Sequence, residues 1–238
     1  NNPRIQTWSK YMKSPGTLYI VAVPIGNPRD ITLRALDTLR QVDAVICEEM
    51  RPASTLLKRL EITDKPLIEL NEHNEMEKAA ELAIRIASGE SFALISDCGT
   101  PVFADPGAVL IREVSLLELP VVPVPGAASF MAALSVLDTR LDQFVFGGFL
   151  PRDPERRRQE LQRLRGMRMP IVLMDAPYRL AAILEDVEKV FGNGLQITLA
   201  MDLTLPGETI LRGSVREIRK RVGPRKAEFI LFLHPQNR

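Results

Sequence analysis

Residues 92–107 read FALISDCGTPVFADPG. The first five, 92–96, form an apolar run of strand length. Small, turn-forming residues follow at once, Ser96-Asp97-Cys98-Gly99-Thr100-Pro101 and then Ala104-Asp105-Pro106-Gly107. Asp105-Pro106 is a cap followed by proline at a first helical position, and it predicts a helix to about Glu118. Strand, tight turn and helix make the unit of a parallel α/β sheet, and the unit recurs on both sides. Upstream, strands are expected over 17–24, 43–47 and 66–70. Between them lie a helix capped by Asp30 with Ile31, Ala35, Leu36 and Leu39 as its stripe, and a short helix over 54–60. A third helix over 75–88 follows, with Ala79, Ala80, Ala83, Ile84 and Ala87 inward. Downstream come a fifth strand, 120–124, and a helix, 126–137. This alternation predicts a parallel sheet with helices on its faces.

The segment LDTRLD (137–142) reads as a boundary, dividing the chain into domains over 14–137 and 138–238. In the second, strands are expected near 143–149, 170–174, 195–201, 208–212 and 227–233, and helices near 153–165, 178–190 and 214–222. The turn Leu205-Pro206-Gly207 makes two of those strands a hairpin, so this sheet is mixed. Met12 reads as the native start, with residues 1–11 a disordered extension.

The 238 residues are 45% apolar and 26% charged, which excludes a disordered tail, a collagen and a coiled-coil rod. No run approaches the roughly 18 unbroken apolar residues of a membrane span. The start, NNPRIQTWSKYMKS, lacks the apolar core of a secretory signal. Two cysteines, Cys47 and Cys98, make no disulfide framework and point to a reducing cytoplasm. The net charge of +1 conceals an asymmetry. Residues 1–126 carry 13 basic and 17 acidic side chains, net −4; residues 127–238 carry 18 and 13, net +5. A polyanion would therefore bind the second half.

In a sheet of this kind, ligands bind at the carboxyl ends of the strands. Three turns there are rich in small residues: Pro24-Ile25-Gly26-Asn27, Ser96 to Gly107, and Pro125-Gly126-Ala127-Ala128-Ser129. Each offers backbone N–H groups or a helix start to a carboxylate or phosphate, and Asp97 can accept hydrogen bonds from hydroxyls or an ammonium. The chain has no Gly-x-Gly-x-x-Gly after a strand, no Gly-Lys-Ser/Thr and no Gly-x-Ser-x-Gly, which argues against dinucleotide, P-loop and serine-hydrolase sites. His73, in Asn71-Glu72-His73-Asn74-Glu75, has no second histidine at ligand spacing, so no metal is expected. Cys98 reads as a small turn residue, since no basic partner lies beside it. Two basic stretches suit phosphate: 151–168, with seven arginines against three acids, and 212–226, with seven basic residues against Glu217. Arg156, Arg157, Arg158, Arg219 and Arg221 are expected to form a distributed phosphate contact on exposed helix faces, and little aromatic interleaving is present to stack bases.

PIGNPRDIT (24–32), NEHNE (71–75), SDCGTPVFADPG (96–107), PGAASFMAALS (125–135) and FGGFLPRDPERRR (146–158) occur in this order and at this spacing. On these motifs the chain, from about residue 16 onward, resembles the ribosomal RNA small subunit methyltransferase I family, of the tetrapyrrole-methylase fold. Some positions depart from that family's pattern. Glu48-Glu49-Met50-Arg51 stands for Glu-Asp-Thr-Arg, Met174-Asp175-Ala176-Pro177-Tyr178-Arg179 for Tyr-Glu-Ser-Pro-His-Arg, and Ala200 to Leu205 for Ala-Arg-Glu-Leu-Thr-Lys. The departures concentrate in the second domain and mark the chain as a divergent paralogue.

The resemblance implies an α/β, two-domain tetrapyrrole-methylase-like fold with a parallel N-terminal sheet and a mixed C-terminal sheet. It also implies S-adenosylmethionine bound in the cleft between the domains, a homodimer, and 2′-O-ribose methylation of small-subunit rRNA. Carried onto this chain, cofactor contacts fall on Pro24, Asp97, Gly99, Val102, Ala128 and Ser129, with Met174, Ala200 and Ala227 from the second domain. Glu49, Arg51, His73 and Glu75 lie on loops at the same sheet edge and are candidates for the base or cation that a poorly acidic hydroxyl needs. The alternatives are a small, tetrapyrrole-like acceptor, or a catalytically silent RNA- or ribosome-binding paralogue.

Overall fold

The computed structural model describes residues 14–103 and 105–235, which form two compact units that part between Ala128 and Ser129. The first unit holds a five-stranded, all-parallel sheet: β1 (Leu18–Val21), β2 (Ala44–Cys47), β3 (Leu67–Glu69), β4 (Phe92–Leu94) and β5 (Val121–Val124), in the order β3-β2-β4-β1-β5. Both faces are covered, so the inner strands β2 and β4 are apolar throughout and successive residues serve opposite cores. Val45 packs with Val21, Ala35, Leu39 and Leu57, beneath α1 (Leu33–Gln41) and α2 (Met50–Arg59). Its neighbour Ile46 packs with Leu18, Leu82, Phe92 and Leu110, beneath α3 (Glu75–Ala87) and α4 (Ala108–Leu116).

Four boundary expectations are corrected. Helix α1 is capped by Thr32, whose hydroxyl accepts from the Ala35 amide at 3.1 Å, while Asp30 closes a separate 3-10 turn, Pro28–Asp30. Helix α2 starts at Met50, four residues before the expected 54, which places Arg51 on the helix. Helix α3 buries Ala79, Leu82, Ala83 and Ile86, the true i, i+3, i+4, i+7 stripe, and leaves Ala80, Ile84 and Ala87 outward. Helix α4 begins at Ala108, after Gly107 at φ 131°, and not at Asp105-Pro106. A carboxylate from another helix supplies its cap, as described below.

The second unit holds β6 (Val145–Gly148), β7 (Ile171–Asp175), β8 (Gln196–Met201), β9 (Thr209–Ser214) and β10 (Phe229–Leu233), in the order β6-β7-β10-β8-β9. Only the β6–β7 pair is parallel, so the sheet is mixed as expected, with β8 and β9 as the hairpin. One face carries α6 (Pro154–Gly166), α7 (Leu180–Phe191) and α8 (Val215–Val222) over Leu173, Leu199 and Leu231. The other carries α5 (Ser129–Ser135), whose Ala133 and Phe130 pack on Val172, Ala200, Ile230 and Phe232. The last helix expected for the first domain thus packs on the second sheet.

Arg157 corrects the reading of an exposed basic helix. It shares the inner stripe of α6 with Leu161 and Leu164 and is buried. Its Nε and Nη2 each stand 2.7 Å from a carboxylate oxygen of buried Asp186 on α7, and its Nη1 donates to the Arg152 carbonyl at 3.0 Å. Arg158 reaches the other Asp186 oxygen at 3.4 Å. Removing one side of such a pair strands a buried charge. Asp186→Ala is therefore expected to cost about 3–5 kcal/mol, read by urea denaturation, and an Arg157→Met, Asp186→Leu double variant should recover most of that loss.

Candidate active site

Strand β1 lies between β4 and β5, so the turns that follow these three strands leave the sheet edge side by side. Two backbone bonds stitch the first pair. Val23 N–H donates to the Gly99 carbonyl at 2.9 Å, and Gly99 N–H donates to Val23 at 3.1 Å. The third turn joins through Thr100, whose hydroxyl donates to the Ala127 carbonyl at 3.1 Å. Gly99 sits at φ +78°, and a Cβ there would lie 3.1 Å from the Ile25 methyl, so the position favours glycine on both counts. Val102, at φ 72°, is a β-branched residue in the left-handed region, where the backbone is strained. Buried Ser96 donates to the Cys98 carbonyl at 3.0 Å.

The sheet edge is acidic. Burial, the neighbouring Glu49 charge and, in the opposite sense, a hydrogen bond from the Glu49 backbone act on Asp97, and its carboxyl lies above the usual range. Asp105 is raised by burial and by Asp97, and Glu48 by burial, Asp105 and Asp97. Burial foremost, with Asp97 and Glu69, pushes the Cys47 thiol up to about 11, so it is no nucleophile. Two arginines line a cavity with Asp97. Arg51, Thr55 and Arg59 recur every fourth residue on α2 and line a cavity of about 410 Å³ with Pro24, Ile25, Asp97 and Cys98. Arg59 was not among the expected site residues. The signal for it is the spacing of Arg51, Thr55 and Arg59 at every fourth residue on a helix that begins at Met50.

The structure therefore brings together Pro24, Arg51, Asp97 and Gly99, with Ala128 one residue beyond the tied Ala127. His73 is elsewhere in character: its ring is 84% exposed and its nearest partner is Glu72, at 3.6 Å. Glu75 has a defined task. Its Oε1 accepts from the Gly107 and Val109 amides at 2.9 and 2.8 Å, capping α4 across 32 residues of sequence. In the second unit, Met174 and Ala200 pair with Ile230 from its two sides and share one apolar cluster. Ala227 is buried in the cluster on the other face, which leaves its backbone as the group able to meet a ligand. Ser129 opens α5.

The described cradle fits an amino-acid-bearing nucleoside: a left-handed glycine, small side chains, N–H-rich turns and a carboxylate that accepts hydrogen bonds. The family described as Tetrapyrrole (Corrin/Porphyrin) Methylases matches residues 17–219. Among solved structures, the chain is similar to a diphthine synthase (TM-score 0.71, 14% identity, 93% of this chain and 91% of that one). It is also similar to a cobalt precorrin-4 methyltransferase (TM-score 0.65, 19% identity, 92% and 94%). These two share the fold. Closer in sequence are the ribosomal RNA small subunit methyltransferases I of Xylella fastidiosa, 38% identical over 93% of this chain and 82% of that protein, and of Pseudomonas aeruginosa, 42% over 83% and 70%. The chain belongs to the ribosomal RNA small subunit methyltransferase I family, and is an S-adenosylmethionine-dependent methyltransferase of that family.

Glu75 distinguishes a base from a cap. As a cap, Glu75→Gln keeps an acceptor oxygen and should retain most methyl-transfer activity, whereas Glu75→Ala should lose about 1–2 kcal/mol of stability on thermal or urea unfolding. A Gln variant that folds as the parent but loses activity a hundredfold or more would identify a base instead.

Proposed function

We propose that this enzyme transfers the methyl group of S-adenosylmethionine to a ribose 2′-hydroxyl of small-subunit rRNA. The observation that carries the reading is the convergence of the three turns on Asp97 and Gly99, beside a cavity walled by Arg51 and Arg59. Kinship to proteins named for rRNA methylation supports the choice of acceptor. The cofactor is proposed to lie on Pro24, Asp97, Gly99, Val102, Ala128 and Ser129, with Met174, Ala200 and the Ala227 backbone completing its site. It supplies its own electrophile, a sulfonium methyl, so the protein has to orient donor and acceptor in line and manage one proton.

Asp97 accepts hydrogen bonds from the cofactor's hydroxyls or ammonium, and Gly99 lets the backbone approach closely. Arg51 lines the same cavity as Asp97 and stabilises the oxygen as its proton leaves. Glu49, the residue just ahead of α2, is the base candidate nearest to these groups, with His73 further along the same edge. RNA is held through the second unit, where Arg156, Arg216, Lys220 and Arg221 are exposed. The enzyme is proposed to work as a cytoplasmic homodimer, as the resemblance implies. No described helix is long and apolar enough to cross a membrane.

Asp97→Ala is expected to weaken S-adenosylmethionine binding at least tenfold by calorimetry, and unchanged affinity would overturn the site. Methyl incorporation into small subunits, mapped by nuclease digestion of the product, tests the acceptor. Transfer to a tetrapyrrole and not to rRNA would select the small-molecule reading. For the basic surface, Arg156→Glu with Arg221→Glu should weaken RNA binding to a similar degree across sequences. Its salt slope should flatten by about one unit for each phosphate no longer neutralised, with cofactor affinity unchanged.

A further inference from the structure

The carboxyl end of α6 and the amino end of β7 enclose a second cavity, of about 710 Å³, wholly within the second unit. Its floor is apolar, with Met169, Phe191 and Leu233, and its rim carries Arg165, Arg168 and His234. It is distinct from the cofactor positions of this unit. Ile171 and Leu233 pair at the cavity end of the sheet, whereas Met174 pairs with Ile230 three residues further on, about 10 Å along the strand.

Two arginines make the rim attractive to an anion. Helix carboxyl ends present carbonyls, which repel phosphate. Here Arg165 covers the end of α7, donating to the Val190 carbonyl at 2.7 Å, so the mouth presents a guanidinium. Arg168 occupies the position just past the last turn of α6 in the left-handed conformation, at φ 55°. Glycine is the ordinary residue at such a position, because a side chain there is strained. Arg168 is exposed, and among the described residues its side chain has no acidic partner. Glu61 and Glu118 take the same left-handed position past α2 and α4, so the conformation is ordinary in this chain; what marks Arg168 is an exposed guanidinium without an acidic partner on the rim of an apolar cavity.

We propose that this cavity binds one nucleotide of the RNA, with its phosphate on Arg165 and Arg168 and its base against Phe191 and Met169. The inference rests on the RNA reading above and adds a binding place separate from the cofactor positions of the second unit.

The test uses the full chain and a fluorescein-labelled single-stranded oligoribonucleotide of about 12 nucleotides, read by anisotropy at two salt concentrations. Arg168→Glu should weaken binding about tenfold or more and flatten the salt slope by about one unit, with S-adenosylmethionine affinity unchanged by calorimetry. Arg168→Gly should also weaken RNA binding while leaving Tm at the parent value or up to about 4 °C above it, because glycine relieves the backbone. Oligonucleotide affinity within twofold of the parent for both variants would overturn the inference, as would a fall in Tm for Arg168→Gly, which would make the arginine part of the fold. If Arg156→Glu with Arg221→Glu weakens binding and the Arg168 variants do not, the cavity fails and the RNA reading stands. A parent chain that binds neither the oligonucleotide nor the small subunit refutes the RNA reading itself.

Discussion

The paired hydrogen bonds between Val23 and Gly99 are the constraint on which the first unit's site depends. Parallel strands ordinarily release their chains into separate turns that need not touch. Here β1 and β4 are neighbours, and the two turns pair antiparallel one step beyond the sheet, so each fixes the other's backbone. Thr100 then carries the tie to the turn after β5. A site built from backbone N–H groups requires such fixation, because those groups cannot be reoriented by a rotamer change. The left-handed conformations of Gly99 and Val102 follow from the same demand. For Val102 that conformation is locally unfavourable, and it persists because its surroundings over-determine it.

The carboxylates show a second cost of the site. Glu48, Asp97 and Asp105 all have raised pKa values in the folded state, with burial as the first cause and the charge of neighbouring carboxylates next. A carboxyl raised on folding binds its proton more tightly in the native chain than in the unfolded one. Stability linked to it therefore declines as pH rises from the unfolded value toward the raised folded one, and the penalty is complete above the latter. At neutral pH these groups oppose folding. Arg51 and Arg59 line a cavity with Asp97, yet none of the three carboxyls is lowered by an arginine. A carboxylate cluster that opposes folding and has no cationic partner among the causes of its shifts is the pattern expected of groups arranged for a ligand and not for the core.

The parallel sheet was legible because strands buried on both faces are unbroken apolar runs, and because small-residue turns follow β1, β4 and β5 in sequence as they do in space. What the sequence concealed were interactions between distant segments. Thr32 stands two residues after Asp30, and either can cap a helix; the 3-10 turn Pro28–Asp30 removes Asp30 from the competition. Asp105-Pro106 has the local form of a helix start, but the cap of α4 comes from Glu75, on a different helix. No local pattern announces that. It also changes how NEHNE (71–75) reads: its last residue is tied to the loop that carries Gly99 and Val102, while His73 faces solvent.

The arginines make the same point for the second unit. A basic run was visible, but its division into structural and available charges was not. On α6 the stripe Arg157, Leu161 and Leu164 is an ordinary buried face in which the first position is charged, and its partner Asp186 lies 29 residues away on α7. Arg163 pairs with Glu160 on the same helix, Arg219 reaches Glu188 at 2.5 Å and Arg225 reaches Asp202 at 2.5 Å. These pairings occupy several arginines without changing the net +5, in which their acidic partners are already counted. Arg156, Arg168, Arg216, Lys220 and Arg221 are exposed and form no ion pair among the described residues. An exposed pair contributes only about 0–1 kcal/mol, so leaving these five unpaired costs the fold little. Within a screening length of roughly 8 Å they retain most of their effect on a phosphate. Charge on this unit is thus sorted by burial: the buried arginine holds α6 to α7, and the exposed ones are left to a partner of opposite sign.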